Sequence, residues 1–392
     1  MIWRRSRPAA IVAASQIPAD RYPDSDGMGL LERIVGQFLN EWPSVSRDMI
    51  DGLLVPPATI YGTQGTNTYI HQRLAGRLGL QPKFAETLNA GATYGAMIAR
   101  AVMAVEAGAC EAVLCVGVGK FPSVRLSGPA LATLVGDPDF EFTYGASIPA
   151  MYALIAQRFM HLRGTTRRQL SAVAVSARDW SLSNPDAFMR ESGPLTHDEV
   201  AESRPIALPF RKLDCSVPCE GGGAVLVTAA KAIGRAEHAA YVVGIGEHHN
   251  HAYLSELAEP TETGVSVSAR RAFEMAGRTP KHIDIAQLYD AFTITPIIQV
   301  EEMGLVARGE GGAFFESGAA GPGGTLPINT FGGLLSFGHT GDASGMAFVI
   351  EGARQVMGCA GRRQLGGVGT ALVHTYGGIM ADHATLILSR EP

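Results

Sequence analysis

An α/β fold built of two similar halves is what this sequence predicts, on three observations. Short β-branched runs alternate with helical patterns. Two glycine-bounded helical segments of equal length recur far apart. And 392 residues exceed the size at which a single hydrophobic core usually stops growing.

In chain order, the strand candidates are Ala10–Ala13, Ala112–Val118, Ala224–Ala229, Tyr241–Ile245, Ile283–Leu288, Ala371–His374 and Ala384–Leu388. They read as continuous apolar runs, the pattern of sheets covered on both faces. The helical patterns Gly95–Ala107, Gly264–Met275, Pro296–Glu302 and Gly345–Met357 lie between them and supply the covering layers. Gly95-AMIARAVMAVEA-Gly108 and Gly345-MAFVIEGARQVM-Gly358 match in length, and each follows a small-residue turn and leads into a strand ending in glycines (VLCVGVG, ALVHTYGG). Each half then closes on a further strand, AVLVTAA or HATLILS. The repetition divides the chain into residues 1–235 and 236–392, at the polar, irregular AAKAIGRAEH. Residues 121–215 fit neither half. Their mix of aromatics, proline and polar residues reads as a lid or binding-loop insertion, or as a solvated helical subdomain.

Hydrophobic content of 46% and charged content of 18% describe an ordered globular chain. A net charge of −5 without blocks of like charge argues against nucleic-acid or anionic-membrane partners. Cys110, Cys115, Cys215, Cys219 and Cys359 are too scattered for a disulfide framework or a zinc site and read as small buried residues. MIWRRSRPAAIVAASQIPAD lacks a convincing cleavage site, and its IVAAS reads as a first core strand. No run reaches the roughly 18 apolar residues of a membrane helix, so a cytoplasmic location is expected.

Three stretches could carry chemistry. NTFGGLLSFGHTGDASG (329–345) sets His339 between glycines just ahead of a helix, where the backbone can approach a ligand closely and free N–H groups await an anion. QLYDAFTITPI (287–297) places Tyr289 and Asp290 at a strand end, where sites gather in open α/β folds. LVHTYGG presents His374, Thr375 and Tyr376 at another strand end. The HHNH cluster (His248, His249, His251) has no nearby cysteines and an irregular spacing, and no metal is expected.

The order of these motifs, a small-residue turn and helix, then YDAF, then N-x-x-GG…GH-x-G-x-x-G, then H-x-x-GG before the last strand, resembles the thiolase superfamily. The nearest branch is the sterol-carrier-protein-type thiolases and thiolase-like lipid-transfer proteins. The resemblance implies two βαβαβαββ halves in a five-layered α-β-α-β-α arrangement, a homodimer, and action on coenzyme A thioesters without a further cofactor. The family's nucleophilic cysteine sits in a C-x-S-G turn before the first-half helix, and here Gly91 stands at that place. A shift of one residue supplies only Ala90 or Ala92, and Thr93 offers an unactivated hydroxyl. The N-E-A-F or H-D-C-F motif becomes Tyr289-Asp290-Ala291-Phe292, which puts a phenol where a polar group normally helps bind a thioester oxyanion. Gly338-His339-Thr340 keeps the histidine of G-H-P, and the final C-x-G corresponds to Thr375-Tyr376-Gly377.

Both catalytic thiols are therefore missing while the oxyanion apparatus is partly kept. Without a thiol there, the acyl-enzyme of thiolases is lost. Thioester oxyanion stabilisation also serves retro-aldol cleavage of a β-hydroxyacyl-CoA through an enolate, with no covalent intermediate. Side-chain aldolases of steroid degradation, which this chain resembles, lack the same cysteine and use the tyrosine of Y-D-x-F in proton transfer. The expected catalytic residues are Tyr289, His339 and Asp290, with Thr93, His374, Tyr376 and Gly377 lining the oxyanion and substrate region. The same relatives imply a small partner with an OB fold and a zinc ribbon. Two other readings stand beside this one. One is an acetyl-CoA acetyltransferase-like acyltransferase with a substituted nucleophile such as Cys115. The other is a non-catalytic acyl-CoA- or lipid-binding subunit.

Overall fold

A computed structural model describes residues 7–56, 69–88, 93–121, 133, 135–229, 239–341 and 343–392. The strands are β1 (Ala9–Asp20), β2 (Gly52–Val55), β3 (Phe84–Thr87), β4 (Ala112–Lys120), β5 (Pro205–Ala207), β6 (Phe210–Arg211), β7 (Glu220–Ala229), β8 (Ala240–His249), β9 (Ile285–Leu288), β10 (Thr370–Gly377) and β11 (Asp382–Ser389). The described α-helices are α1 (Gly27–Glu41), α2 (Ile70–Leu78), α3 (Thr93–Glu106), α4 (Ile148–Arg163), α5 (Arg167–Leu182), α6 (His197–Glu202), α7 (Val265–Ala276), α8 (Ile294–Glu302), α9 (Gly311–Glu316) and α10 (Ser344–Met357). All seven strands and all four helices expected from sequence are present, with somewhat different ends. β2, β3, β5, β6, α1, α2 and α9 are added, besides the helices of the insertion. α1 has a plain sequence signal: Asp26 caps it by accepting the Gly29 N–H at 2.7 Å, and Met28, Leu30, Leu31, Ile34, Val35 and Phe38 bury one face.

Nine strands form one ladder in the order β3-β2-β4-β7-β1-β8-β11-β10-β9. The internal repeat is visible in the pairing. β1 runs antiparallel to β7, β7 antiparallel to β4, and β4 parallel to β2. In the second half β8 runs antiparallel to β11, β11 antiparallel to β10, and β10 parallel to β9. The half-sheets meet through two pairs, Ala10↔Tyr241 and Ile11↔Ala240. The division expected near residue 235 lies outside the described residues.

The two equal-length helices, α3 and α10, lie between the half-sheets. Tyr94 of α3 packs on Gly117 of β4, while the Gly95 N–H donates to Thr375 Oγ1 of β10 at 3.2 Å. A Cβ at Gly95 would stand 2.5 Å from that oxygen, so the close approach of α3 to β10 requires glycine. α10 touches β7 through Ile350 against Gly223 and β10 through Gly352 against Val373. The small side chains of α3 let it bury nearly every face. α1 and α2 cover the outer side of the first half-sheet, and α7 covers the second, its backbone lying against Gly244 and Gly246 of β8. Five layers result.

The described part of residues 121–215 is a helical layer, α4 to α6, rather than a loose lid. α5 starts at a capping box in which Thr166 and Gln169 satisfy each other's backbone N–H groups. Its far end holds the C-terminal half. Asn184 Nδ2 donates to the Phe331 carbonyl at 2.8 Å, and the Phe188 and Met189 N–H groups donate to the carbonyls of Phe337 and Ser336.

Candidate active site

Two loops of the C-terminal half carry the site. The first follows β9 and bears Tyr289 and Asp290. The second runs from Asn329 through one π-helical turn, Gly333–Phe337, to His339. Asn329 joins them. It takes a left-handed backbone (φ 53°), and its amide accepts the Leu288 N–H at 2.7 Å and donates to the Leu288 carbonyl at 2.8 Å. A side chain thus stands in for a strand neighbour and fixes the strand end from which Tyr289 projects. The Tyr289 carbonyl is held by Gln299 Nε2 at 2.8 Å and Thr295 Oγ1 at 3.2 Å, and its N–H by the His374 carbonyl.

Asp290 fastens the second loop beneath the first. Its Oδ1 accepts the Leu334 N–H at 2.7 Å. Gly333, at φ 57°, leaves no room for a Cβ, which would lie 2.1 Å from Asp290 Oδ2. Burial pushes the carboxyl up to about 8, so it is protonated and neutral at pH 7.

With the loops held this way, the Tyr289 hydroxyl oxygen stands 3.1 Å from His339 Nε2. His339 Nδ1 accepts the Gly341 N–H at 3.1 Å, which assigns the proton of the neutral ring to Nε2. Burial lowers the imidazole to about 4, so the ring is neutral in ordinary buffers. Tyr289 stacks on Phe348 with ring centroids 5.4 Å apart and meets the Tyr376 ring at 4.7 Å, while Phe121 lies 5.3 Å from the imidazole. A phenol and a fixed N–H donor at one apolar spot can move a proton and hold an oxyanion.

The remaining expected site residues are distributed unevenly around this pair. Tyr376 joins it. Burial keeps its phenol well above the ordinary range, beside Tyr152 and Thr295. Gly377 closes the β10–β11 hairpin opposite Asp382. Thr93 is buried at the start of α3, and Gly91 lies outside the described residues. His374 points away from Tyr289 and His339. Its Nδ1 pairs with Thr385 Oγ1 at 2.8 Å and its Nε2 with His383 Nδ1 at 3.3 Å, in a buried chain that reaches Ser268 of α7. Thr375 faces α3, so by strand alternation His374 faces the outer layer, on the same side of β10 as Tyr376, whose ring lies 6.5 Å from the imidazole.

All five thiols are raised by burial, Cys110 to about 11 and Cys215 to about 12, and Cys115 is fully enclosed in β4. None is a ready thiolate. Two supporting residues were not singled out from sequence as site residues: Asn329 and Phe121. Only Asn329 had a signal, as the polar residue ahead of the glycine pair in NTFGG. Among the described residues no helix is long and apolar enough to cross a membrane.

Known proteins resemble this chain along most of its length. The family described as "Thiolase C-terminal domain-like" matches residues 246–390. An acetyl-CoA acetyltransferase of Methanothermobacter thermautotrophicus is 34% identical over 325 residues, 82% of this chain and 84% of its own. The 17-hydroxy-3-oxo-4-pregnene-20-carboxyl-CoA lyase of Mycobacterium tuberculosis is 34% identical over 313 residues, 76% of this chain and 79% of its own. The solved structure of the Ltp2-ChsH2(DUF35) aldolase matches with a TM-score of 0.83 at 26% identity, over 97% of each chain. With the paired half-sheets and the central helices, identity and coverage at this level mean that the chain belongs to the thiolase superfamily of enzymes.

Proposed function

We propose that the chain cleaves the Cα–Cβ bond of a β-hydroxyacyl-CoA by a retro-aldol reaction without a covalent intermediate. The observation that carries this reading is the Tyr289–His339 pair, 3.1 Å apart, on a chain with no cysteine before Cys110. Tyr289 acts as the base that takes the proton of the β-hydroxyl. The electron pair of the former O–H bond becomes the π bond of a new carbonyl, the Cα–Cβ bond breaks, and its electron pair passes into the thioester as an enolate. The His339 Nε2–H donates to the enolate oxygen. The proton held by Tyr289 returns to Cα, releasing a ketone or aldehyde and a shortened acyl-CoA.

The likeness to the Mycobacterium tuberculosis lyase and to the Ltp2-ChsH2(DUF35) aldolase supports this reading, with a branched, steroid-like acyl group as the first substrate to try. The name of the second pairs it with a companion, ChsH2(DUF35), which supports a partner protein for this chain, and a small OB-fold, zinc-ribbon companion is part of the proposal. A homodimer and a cytoplasmic location belong to the same proposal. The acetyltransferase relative favours a second reading, acyl transfer.

The test is mass spectrometry of products and intact protein after incubation with β-hydroxyacyl-CoA substrates, with and without a co-encoded OB-fold protein. A carbonyl fragment with a shortened acyl-CoA establishes the aldolase. An acylated protein establishes the transferase. Ligand binding with neither product leaves a binding subunit.

A further inference from the structure

The segment that returns from the helical insertion to β7 lies between the Tyr289 turn and the His339 loop and bonds to both. The Ser216 N–H donates to the Ala291 carbonyl at 2.9 Å, and the Val217 N–H to the Leu334 carbonyl at 3.1 Å. His339 is bracketed on both sides: its N–H donates to the Val217 carbonyl at 2.7 Å, and its carbonyl accepts the Cys219 N–H at 2.9 Å. At the start of this strap, the Thr293 N–H donates to the Asp214 carbonyl at 3.0 Å and Thr293 Oγ1 to Asp214 Oδ1 at 2.9 Å. Thr293 is four residues beyond Tyr289.

Asp214 anchors the strap. Its side chain is fully buried. The carboxylate accepts from Arg167 Nη1 at 2.8 Å, from Arg167 Nη2 and from the Arg211 N–H at 2.8 Å. Arg167 is the first residue of α5 and also donates to the Pro209 carbonyl and to Ser171 Oγ. A buried carboxylate that loses its cation is left with an uncompensated charge, and the segment around it must move.

We propose that Arg167 and Asp214 are positioning residues of the insertion, and that through residues 214–219 they set the separation of Tyr289 and His339. Neither touches the reacting atoms. The inference rests on the Tyr289–His339 reading of the site. Displacing catalytic groups by about 1 Å can cost about a hundredfold in rate, so loosening the strap acts on kcat more than on KM.

The test uses the full chain as Asp214→Asn, Thr293→Val, Arg167→Met and Arg167→Lys, with two readouts. The first is the slowly exchanging Nε2–H resonance of His339 in ¹⁵N-histidine-labelled protein, assigned with His339→Gln. The second is retro-aldol turnover. Asp214→Asn and Thr293→Val are expected to shift or broaden that resonance and to lower kcat about 10- to 100-fold with KM nearly unchanged. Arg167→Lys is expected to restore much of what Arg167→Met loses. Folded Asp214→Asn and Thr293→Val proteins with an unmoved resonance overturn the proposal. If Asp214→Asn does not fold, the isosteric Thr293→Val decides alone. Absence of turnover in the wild-type protein counts against the reaction, while the resonance still decides the positioning.

Discussion

His339 Nε2 and the Tyr289 hydroxyl oxygen stand 3.1 Å apart, although 50 residues separate them in the chain. Nδ1 of the same ring is occupied by the Gly341 N–H, so the one imidazole proton faces the phenol. The donor therefore needs no reorientation before it meets charge on the phenol or on a substrate oxygen.

Removing either partner tests their roles. Tyr289→Phe keeps the stacking on Phe348 and deletes the oxygen, and kcat is expected to fall by about 10²- to 10⁴-fold. His339→Ala removes the donor and is expected to cost about 10²- to 10³-fold. Steady-state kinetics on the β-hydroxyacyl-CoA substrate measures both. A Tyr289→Phe enzyme with full turnover rules out the phenol as the base.

Acid should weaken the fold through histidines that are buried neutral. His339 and His383 are each lowered from 6.5 to about 4, and His374 is lowered as well, all chiefly by burial. The unfolded chain binds their protons first. Their contribution is thus fully present above pH 6.5 and lost as pH falls toward 4, with a limiting slope of about 1.4 kcal/mol per pH unit for each group. Urea midpoints measured from pH 7 to 4.5 should fall steeply, and less so for His383→Gln.

Asp290 acts in the opposite direction. Burial raises it from 3.8 to about 8, so the folded chain holds a proton that the unfolded chain has released. Stability from this group is greatest below pH 3.8 and declines as pH rises toward 8. Asp290→Asn keeps the acceptor for the Leu334 N–H and cannot ionise. Its urea midpoint should hold up better than that of the wild type between pH 6.5 and 8. A wild-type midpoint that is flat over that range would contradict a protonated Asp290.

Thiol chemistry should be dispensable. Cys115 is enclosed in β4 with its thiol raised by burial. Cys115→Ala is expected to retain turnover while losing about 1 kcal/mol of stability from the small cavity. Loss of turnover in a folded Cys115→Ala protein would instead support the acyltransferase reading.

Gly119, near the end of β4, sits directly against the second site loop. A Cβ there would lie 1.8 Å from the Thr340 carbonyl oxygen. Gly119→Ala must push the residue after His339 aside, and it is expected to destabilise the fold by about 1–3 kcal/mol and to lower kcat. Thermal unfolding and turnover together check it.

The sequence by itself determined the α/β class, the two equal helices and most of the strands, because apolar runs and glycine spacing report local geometry directly. It also determined that no thiol stands ahead of α3, which excludes a cysteine acyl-enzyme there on composition alone, and it singled out Tyr289, Asp290 and His339 by motif order. Tertiary structure decided what these residues meet. Only the crossing of the two loops brings the phenol to Nε2, and only complete enclosure makes Asp290 a neutral carboxyl. His374 and Thr375 are adjacent in sequence, yet a one-residue phase along β10 sends one to α7 and the other to α3. Arg167 and Asp214 carry no motif, since an ion pair across 47 residues leaves no periodic trace. Periodicity shows that a side chain faces a core. Which neighbour it finds there is set by how separate elements pack.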